Sequence, residues 1–513
     1  MSVQERDSAS ADSIKQLGLV AAISSLGYVF WIVGGMEMIE RLAYYGVKAV
    51  AALYAKDPVS KGGLGITMSE FGNILLVWAL IQSIVPVFTG GLSDRYGYKE
   101  TIFASTVVKI LGYLTMAFFP SAGGFFGGAI LLATGTAIFK PGIQGTLVKA
   151  TRPENSSMAW GVFYQTVNIG GFLGPILAGK MRLLAWENVF FACAAIISLN
   201  FLMLLLYKEP GKAERIEREK KRVEAGEAQE SLIADSLREL KKPALWSYLA
   251  IFSGFWFMFN ALFDVLPVHI DEWVDSSDIV NTLFGPGGAN TDSFWAGVLV
   301  LNKAGTHILP EGLLNINAGL IMLTCFAFAW LSGKVRATSS MVVGTLLATA
   351  SLFLIGSATT GWIMAGVICI FSIGEMLSSP KFSEFIGNMA PPDKKAMYLG
   401  FSQIPLAIGW TLEGKLGPML YDMYASKERF SRVELADRGM ETPAIEAIPE
   451  GEAFTSLVEF TGESAATLTA HLHATNDIHM VWWIMGVVGI GSAVGIYMYG
   501  RWLVAMSRDE ATA

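Results

Sequence analysis

Residues 34–50, GGMEMIERLAYYGVKAV, set Glu37, Glu40, Arg41 and Lys48 inside an otherwise apolar run. At about 100° per residue, Glu37, Glu40, Arg41, Tyr44 and Lys48 fall on one helical stripe roughly 100° wide. A charged side chain at bilayer depth costs roughly 2.5–3.5 kcal/mol on insertion scales. Four on one face therefore require a polar cavity or opposing charges. Two chemistries suit such a face. A carboxylate paired with Arg or Lys can take up a proton and release its cation, and the freed charges can hold the ends of a small ionic solute. The alternative is an ion-pair cluster that only fixes helix packing, although buried pairs stabilise poorly against apolar replacements.

Other apolar runs carry polar residues too: Lys140 before Pro141, Asn168, Asn260 with Asp264, Asn317 and Glu375. Counting ~1.5 Å per residue from the helix ends puts Lys140 and Glu37 both roughly 12–18 Å deep. A Lys140–Glu37 pair is then geometrically reasonable. Interhelical asparagines also serve packing, so Asn168 and Asn317 remain open between solute contact and helix contact. Residues 90–102, GGLSDRYGYKETI, place Gly90, Asp94, Arg95 and Gly97 at the end of one run. Glycines let helices approach closely and Asp94 can cap a helix or pair across an interface, which suits conformational gating; a plain polar turn is the alternative.

These residues need membrane-spanning helices to position them. Of 513 residues, 53% are hydrophobic and 16% charged, against about a quarter charged in soluble domains; mean hydropathy is +0.47. Twelve apolar runs fall near 25–55, 71–92, 101–119, 124–148, 158–180, 189–207, 245–271, 312–332, 339–358, 361–388, 396–424 and 478–505, each near the ~20 residues that cross a bilayer. A hydrophilic stretch at 208–243 separates the first six from the last six and reads as a surface linker helix. The expected architecture is an all-α membrane protein of the major facilitator fold, with a six-helix bundle over 1–207, a cytoplasmic linker over 208–243 and a second six-helix bundle over 244–513. Lys and Arg in the short loops put both termini in the cytoplasm and leave the long loops near 272–311 and 425–477 outside. No cleavable leader is read at the N-terminus. The three cysteines lie in apolar runs and the five histidines are scattered, so no disulfide framework or metal site is expected.

Four segments resemble signatures of the proton-coupled oligopeptide transporters, a branch of the major facilitator superfamily. EMIERLAYYG (37–46 with its ExxER core) is similar to that family's ExxERFxYYG motif, and FYQTVNIGGFLGP (163–175) to its FYxxINxGS signature. GTAIFKPGI (135–143) resembles its fourth-span lysine segment, and GEMLSSPKFSEFIGNMAP (374–391) its tenth-span ExxxSP stretch. The four occur in order across both halves. The resemblance implies proton coupling through Glu37, Glu40 and Arg41 with Lys140 as ion-pair partner. It implies a solute site of Arg41, Tyr44, Tyr45, Lys48, Lys140, Asn168, Asn260, Asn317 and Glu375. Lys48 would hold a peptide carboxylate, and Asn168, Asn317 and Glu375 the amino group.

The chain also departs from that pattern. Asn260 stands where a coupling glutamate is usual, with Asp264 one turn on; Ala318 replaces a proline; Tyr98 replaces a basic residue. The family's eleventh-span tryptophan position falls near 400–402, where no tryptophan stands, implying lost aromatic surface. The leading expectation is a proton-driven importer of di- or tripeptides or a related zwitterion in the plasma or inner membrane, working as a single chain. A transporter of another anion, sugar or drug, or a solute sensor, are the alternatives. No nucleotide-binding GxxxxGK[ST] segment and no His/Cys cluster or serine–base pair appears, so the proton serves as coupling ion, with no metal, other cofactor, enzymatic activity or nucleic-acid partner expected.

Overall fold

Polar breaks between the apolar runs become helix ends. In the computed structural model, which describes residues 19–152, 154–213, 216–217, 220, 238–332, 334–389, 398 and 401–512, twelve long helices follow one another. They are α1 (Tyr28–Lys48), α2 (Met68–Tyr96), α3 (Tyr98–Phe118), α4 (Ala122–Ala150), α5 (Ser156–Arg182) and α6 (Trp186–Leu206), then α7 (Pro243–Asp264), α8 (Pro310–Ser332), α9 (Ala337–Ile355), α10 (Gly361–Met389), α11 (Gln403–Tyr424) and α12 (His479–Thr512). Thr67 and Glu70 form a reciprocal capping box that starts α2, satisfying donors a helix start leaves open. Gly97, at φ 115°, turns the chain from α2 into α3, a conformation only glycine adopts without strain.

Helices α1–α6 pack among themselves, as do α7–α12, and the two bundles meet through α2 against α11 and α5 against α8. Among the described residues, nine helices are long and apolar enough to cross a membrane by length and composition. Helices α1, α5 and α11 fall outside that group because they carry charged and amide side chains into the protein. The outward surface is apolar, as at Leu202, Leu205, Leu323 and Val487, which suits a lipid solvent in which backbone polar groups must be paired internally. Small-residue contacts bring helices close. A Cβ on Gly170 or Gly174 would lie 2.4 Å from the Met38 carbonyl oxygen or 2.7 Å from that of Leu42, so α5 lies directly on α1.

Two expected spans are broken. The first ends at Lys48 and resumes as a short helix, Ala51–Lys56. The seventh stops at Asp264, and Leu266–Trp273 follows with Pro267 in its first turn, where a missing N–H costs nothing. The two long loops are folded. Short helices Ser277–Phe284 and Phe294–Leu299 occupy the first, and Lys427–Asp437, Thr442–Glu446, Ala453–Thr461 and Ala465–Thr475 the second. Most of the charged linker over 208–243 lies outside the described residues.

Candidate functional site

The α1 stripe faces the interior of its bundle. Arg41 Nε lies 3.2 Å from Glu37 Oε1, one turn earlier, and its Nη2 lies 2.5 Å from Glu40 Oε2. These are charge contacts without hydrogen-bond alignment. The second carboxylate oxygen of Glu40 takes a hydrogen bond from Lys109 of α3 at 3.0 Å. Lys109 is fully buried, and its ammonium stands 3.8 Å from the centre of the Phe139 ring. Gly135 of α4 makes room for it, because a Cβ there would come within 2.5 Å of Lys109 Cγ.

The Lys140–Glu37 pair read from the sequence is therefore not formed. Arg41 takes Glu37 through the i,i+4 geometry of α1, and Lys109 takes Glu40; among the described residues Lys140 makes no ion pair within 4 Å. Lys140 remains half-buried in the same bundle. Asn168 of α5 joins this wall with its Nδ2 buried and unpartnered. Tyr44 Oη accepts from Gln82 Nε2 at 3.1 Å, and the Arg41 guanidinium lies 5.1 Å from the Tyr44 ring centre. Tyr45 contacts Tyr44 edge-on and reaches Phe263 of α7 across the bundle boundary.

On the opposite wall, Asn317 of α8 donates through Nδ2 to Glu375 Oε2 and Ser372 Oγ of α10, both at 3.0 Å. Glu375 lines a small cleft with Ile321, Cys325, Met376, Pro380 and Tyr164, the last contributed by α5 of the other bundle. The cleft thus has a carboxylate wall from one bundle and an aromatic wall from the other. Asn260 spends its amide on the Trp256 carbonyl of its own helix, at 2.7 Å.

A third group ties the bundles together. Lys48 of α1 ion-pairs with Asp264 of α7, so its ammonium is held by protein instead of standing open for a solute carboxylate. Trp410 of α11 donates to the other Asp264 oxygen at 2.9 Å and lies 4.5 Å from the Lys48 ammonium. Aromatic surface from the eleventh span is therefore present, between about two and three turns beyond the 400–402 position read from the sequence. Lys109, Trp410 and Glu413 were missed as site residues. The signal was available, since a lysine or carboxylate inside an apolar run is what drew attention to Lys140 and Glu375.

At the end bearing the folded loops, the bundles are latched. Arg182 of α5 grips Glu311 of α8 through two hydrogen bonds, 2.7 and 3.0 Å. Asp422 of α11 accepts from the backbone N–H of Met68 and Ser69 at the start of α2, where the helix dipole favours a carboxylate. Lys56 pairs with Glu272. Beyond α11, Lys427 lies over the Phe454 and Trp273 rings, and burial pushes its amine down to about 8, opposed by Asp271. Of the expected gating residues, Gly97 turns the chain between α2 and α3; Gly90, Asp94 and Arg95 lie on α2 with side chains outside the described residues.

Comparison with known proteins gives the same architecture. A solved POT family transporter in complex with a thioalcohol conjugated peptide superposes with a TM-score of 0.65 at 17% identity, over 92% of this chain and 96% of that one. A peptide transporter POT in complex with sulfate does so with a TM-score of 0.63 at 16% identity, over 97% and 99%. In sequence, the chain is 24% identical over 365 residues to the multidrug resistance protein MdtH of Edwardsiella ictaluri (strain 93-146), covering 70% of this chain and 79% of that protein. The family model described as Major Facilitator Superfamily matches residues 36–412, nearly three quarters of the sequence. By that match the chain belongs to the Major Facilitator Superfamily, and it is a membrane transporter.

Proposed function

We propose that this transporter imports di- or tripeptides, or a related small zwitterion, coupled to protons. The observation that carries the reading is the division of charge between the bundles. Arg41, Lys140 and Tyr164 belong to one bundle, and Glu375, held by Asn317 and sharing a cleft with Tyr164, belongs to the other. A zwitterion needs a cation at one end and a carboxylate at the other, in surroundings dry enough for charge to discriminate. Proton coupling draws support from the buried Glu37–Arg41–Glu40–Lys109 cluster, in which protonating a carboxylate frees Arg41 for the solute. Solved peptide transporters of the same fold favour this cargo. The bundles over 1–207 and 244–513 would rock about the site, with Asp94 and Arg95 gating from the cytoplasmic side. The chain would act alone, with the proton as its only cofactor, in the plasma or inner membrane with both termini inside.

The similarity to MdtH supports a second reading, drug export by the same fold. Uptake of labelled dialanine into proteoliposomes under an inward proton gradient separates the two. Gradient-dependent uptake, lost in Arg41→Ala and Glu375→Ala, is the expected result. Well-folded protein that ignores dialanine but expels a lipophilic cation would replace peptide import with drug export.

A further inference from the structure

We propose that Glu413 of α11 is a proton-binding site whose occupancy permits the loop-bearing face to close. Glu413 is completely buried, and neither carboxylate oxygen has a hydrogen-bond partner among the described residues. It follows Trp410 by three residues on the same helix, so it faces the same Asp264 that Trp410 contacts at 2.9 Å. Asp264 holds Lys48. Lys48, Asp264 and Glu413 are 3%, 1% and 0% exposed, so all three charges sit out of water together.

Their charges do not balance without a proton. Among the described residues Lys48 is the one cation beside the two carboxylates, and Trp78 of α2, Tyr44 of α1 and Trp410, which also lie beside them, are neutral rings. Lys415, two residues on, is turned away to Asn73 at 2.6 Å. With both carboxylates ionised, closure would bury an uncompensated anion, which costs several kcal/mol. One proton on the pair makes the trio neutral. An acid kept here for packing alone would be outperformed by an apolar side chain of similar volume.

The three residues come from both bundles, Lys48 from α1 and the carboxylates from α7 and α11. The face can therefore close only after a proton arrives. Once the opposite face opens, the proton leaves Glu413 to that side, and the uncompensated anion left behind drives the loop-bearing face open again, where water solvates it. This couples one proton to each opening and closing of that face. The inference rests on the proton-coupled reading above and is independent of the cargo.

The test uses the full-length protein in lipid bilayers. Infrared difference spectra recorded on raising the pH should show loss of a buried protonated-carboxyl band in wild type. That band should be absent in Glu413→Gln and retained in Glu375→Gln; a band undiminished in Glu413→Gln overturns the proposal. If Glu413→Gln does not fold, Glu413→Asp serves, and a band unmoved in frequency and midpoint is the overturning result. In transport, a one-unit pH gradient is worth about tenfold accumulation per coupled proton. Dialanine accumulation should fall about tenfold in Glu413→Gln while gradient-free exchange persists, and unchanged accumulation refutes the coupling. Should wild type ignore dialanine, the cargo reading fails alone and the infrared band still decides Glu413.

Discussion

Replacing Lys109 with Met removes a buried cation, and its contact with the Phe139 ring, while keeping most of its stem beside Gly135. What is lost is the charge facing Glu40 at 3.0 Å. Breaking a buried ion pair from one side costs about 3–5 kcal/mol, because the other charge stays buried. Arg41 remains 2.5 Å from Glu40 and retains part of the compensation, so the expected loss lies at the lower end, about 3 kcal/mol. Lys140→Met, which breaks no ion pair among the described residues, should cost less than about 1 kcal/mol. Reversible unfolding in mixed micelles reads both. In a Glu40→Gln background the Lys109→Met penalty should largely disappear, since the charge left unpaired is gone. If Lys109→Met lies within about 1 kcal/mol of wild type, or Lys140→Met is equally costly, the assignment of Lys109 as the partner of Glu40 is wrong.

Arg182→Gln leaves Glu311, whose side chain is fully buried, without its bidentate partner. It should shift the protein towards a state open at the loop-bearing face, seen as a longer-distance component between spin labels at the exposed positions Leu184 and Leu283; an unchanged distribution would remove Arg182 from the latch. Lys427 gives a pH dependence. Its amine titrates at about 8 in the folded protein against 10.5 ordinarily, so in that window the unfolded chain binds more protons and stability rises with pH. Below the window both states are charged and the burial penalty is fully present. Unfolding midpoints measured across it should rise less steeply in Lys427→Met, and equal slopes would show that Lys427 does not carry the effect.

The helical period and the hydrophobicity of lipid are local properties, and what depends on them was legible in the sequence. The twelve apolar runs correspond to the twelve long helices, and the stripe Glu37, Glu40, Arg41, Tyr44 and Lys48 follows from their spacing on α1 alone. The contact of Arg41 with Glu37 is of the same kind, an i,i+4 pair within one helix. The helices in the long loops were not legible, because segments of five to eleven residues carry too few turns for a period to emerge. Nor was the break at Val265, after which a new helix with Pro267 in its first turn starts at Leu266 inside a continuous apolar run.

Partner choice between helices was decided by tertiary structure. Lys109 and Lys140 carry the same signal, a lysine in an apolar run, but only Lys140 was singled out, by its depth and by the family resemblance of its segment. Packing reversed this, since Gly135 on α4 lets the Lys109 stem pass and sets its ammonium on Glu40. Lys48 meets Asp264, 216 residues away, and Asn317 meets Glu375, 58 away, because distant helices are brought to one depth and rotated towards one another. Trp410 supplies the eleventh-span aromatic surface read as lost at 400–402, because the facing of α11 is set by its contacts, with Gly409 against the α7 backbone and Gly414 against α2. A sequence determines which residues share a face of their own helix; which face meets which neighbour depends on the simultaneous fit of all twelve, and so belongs to the folded protein.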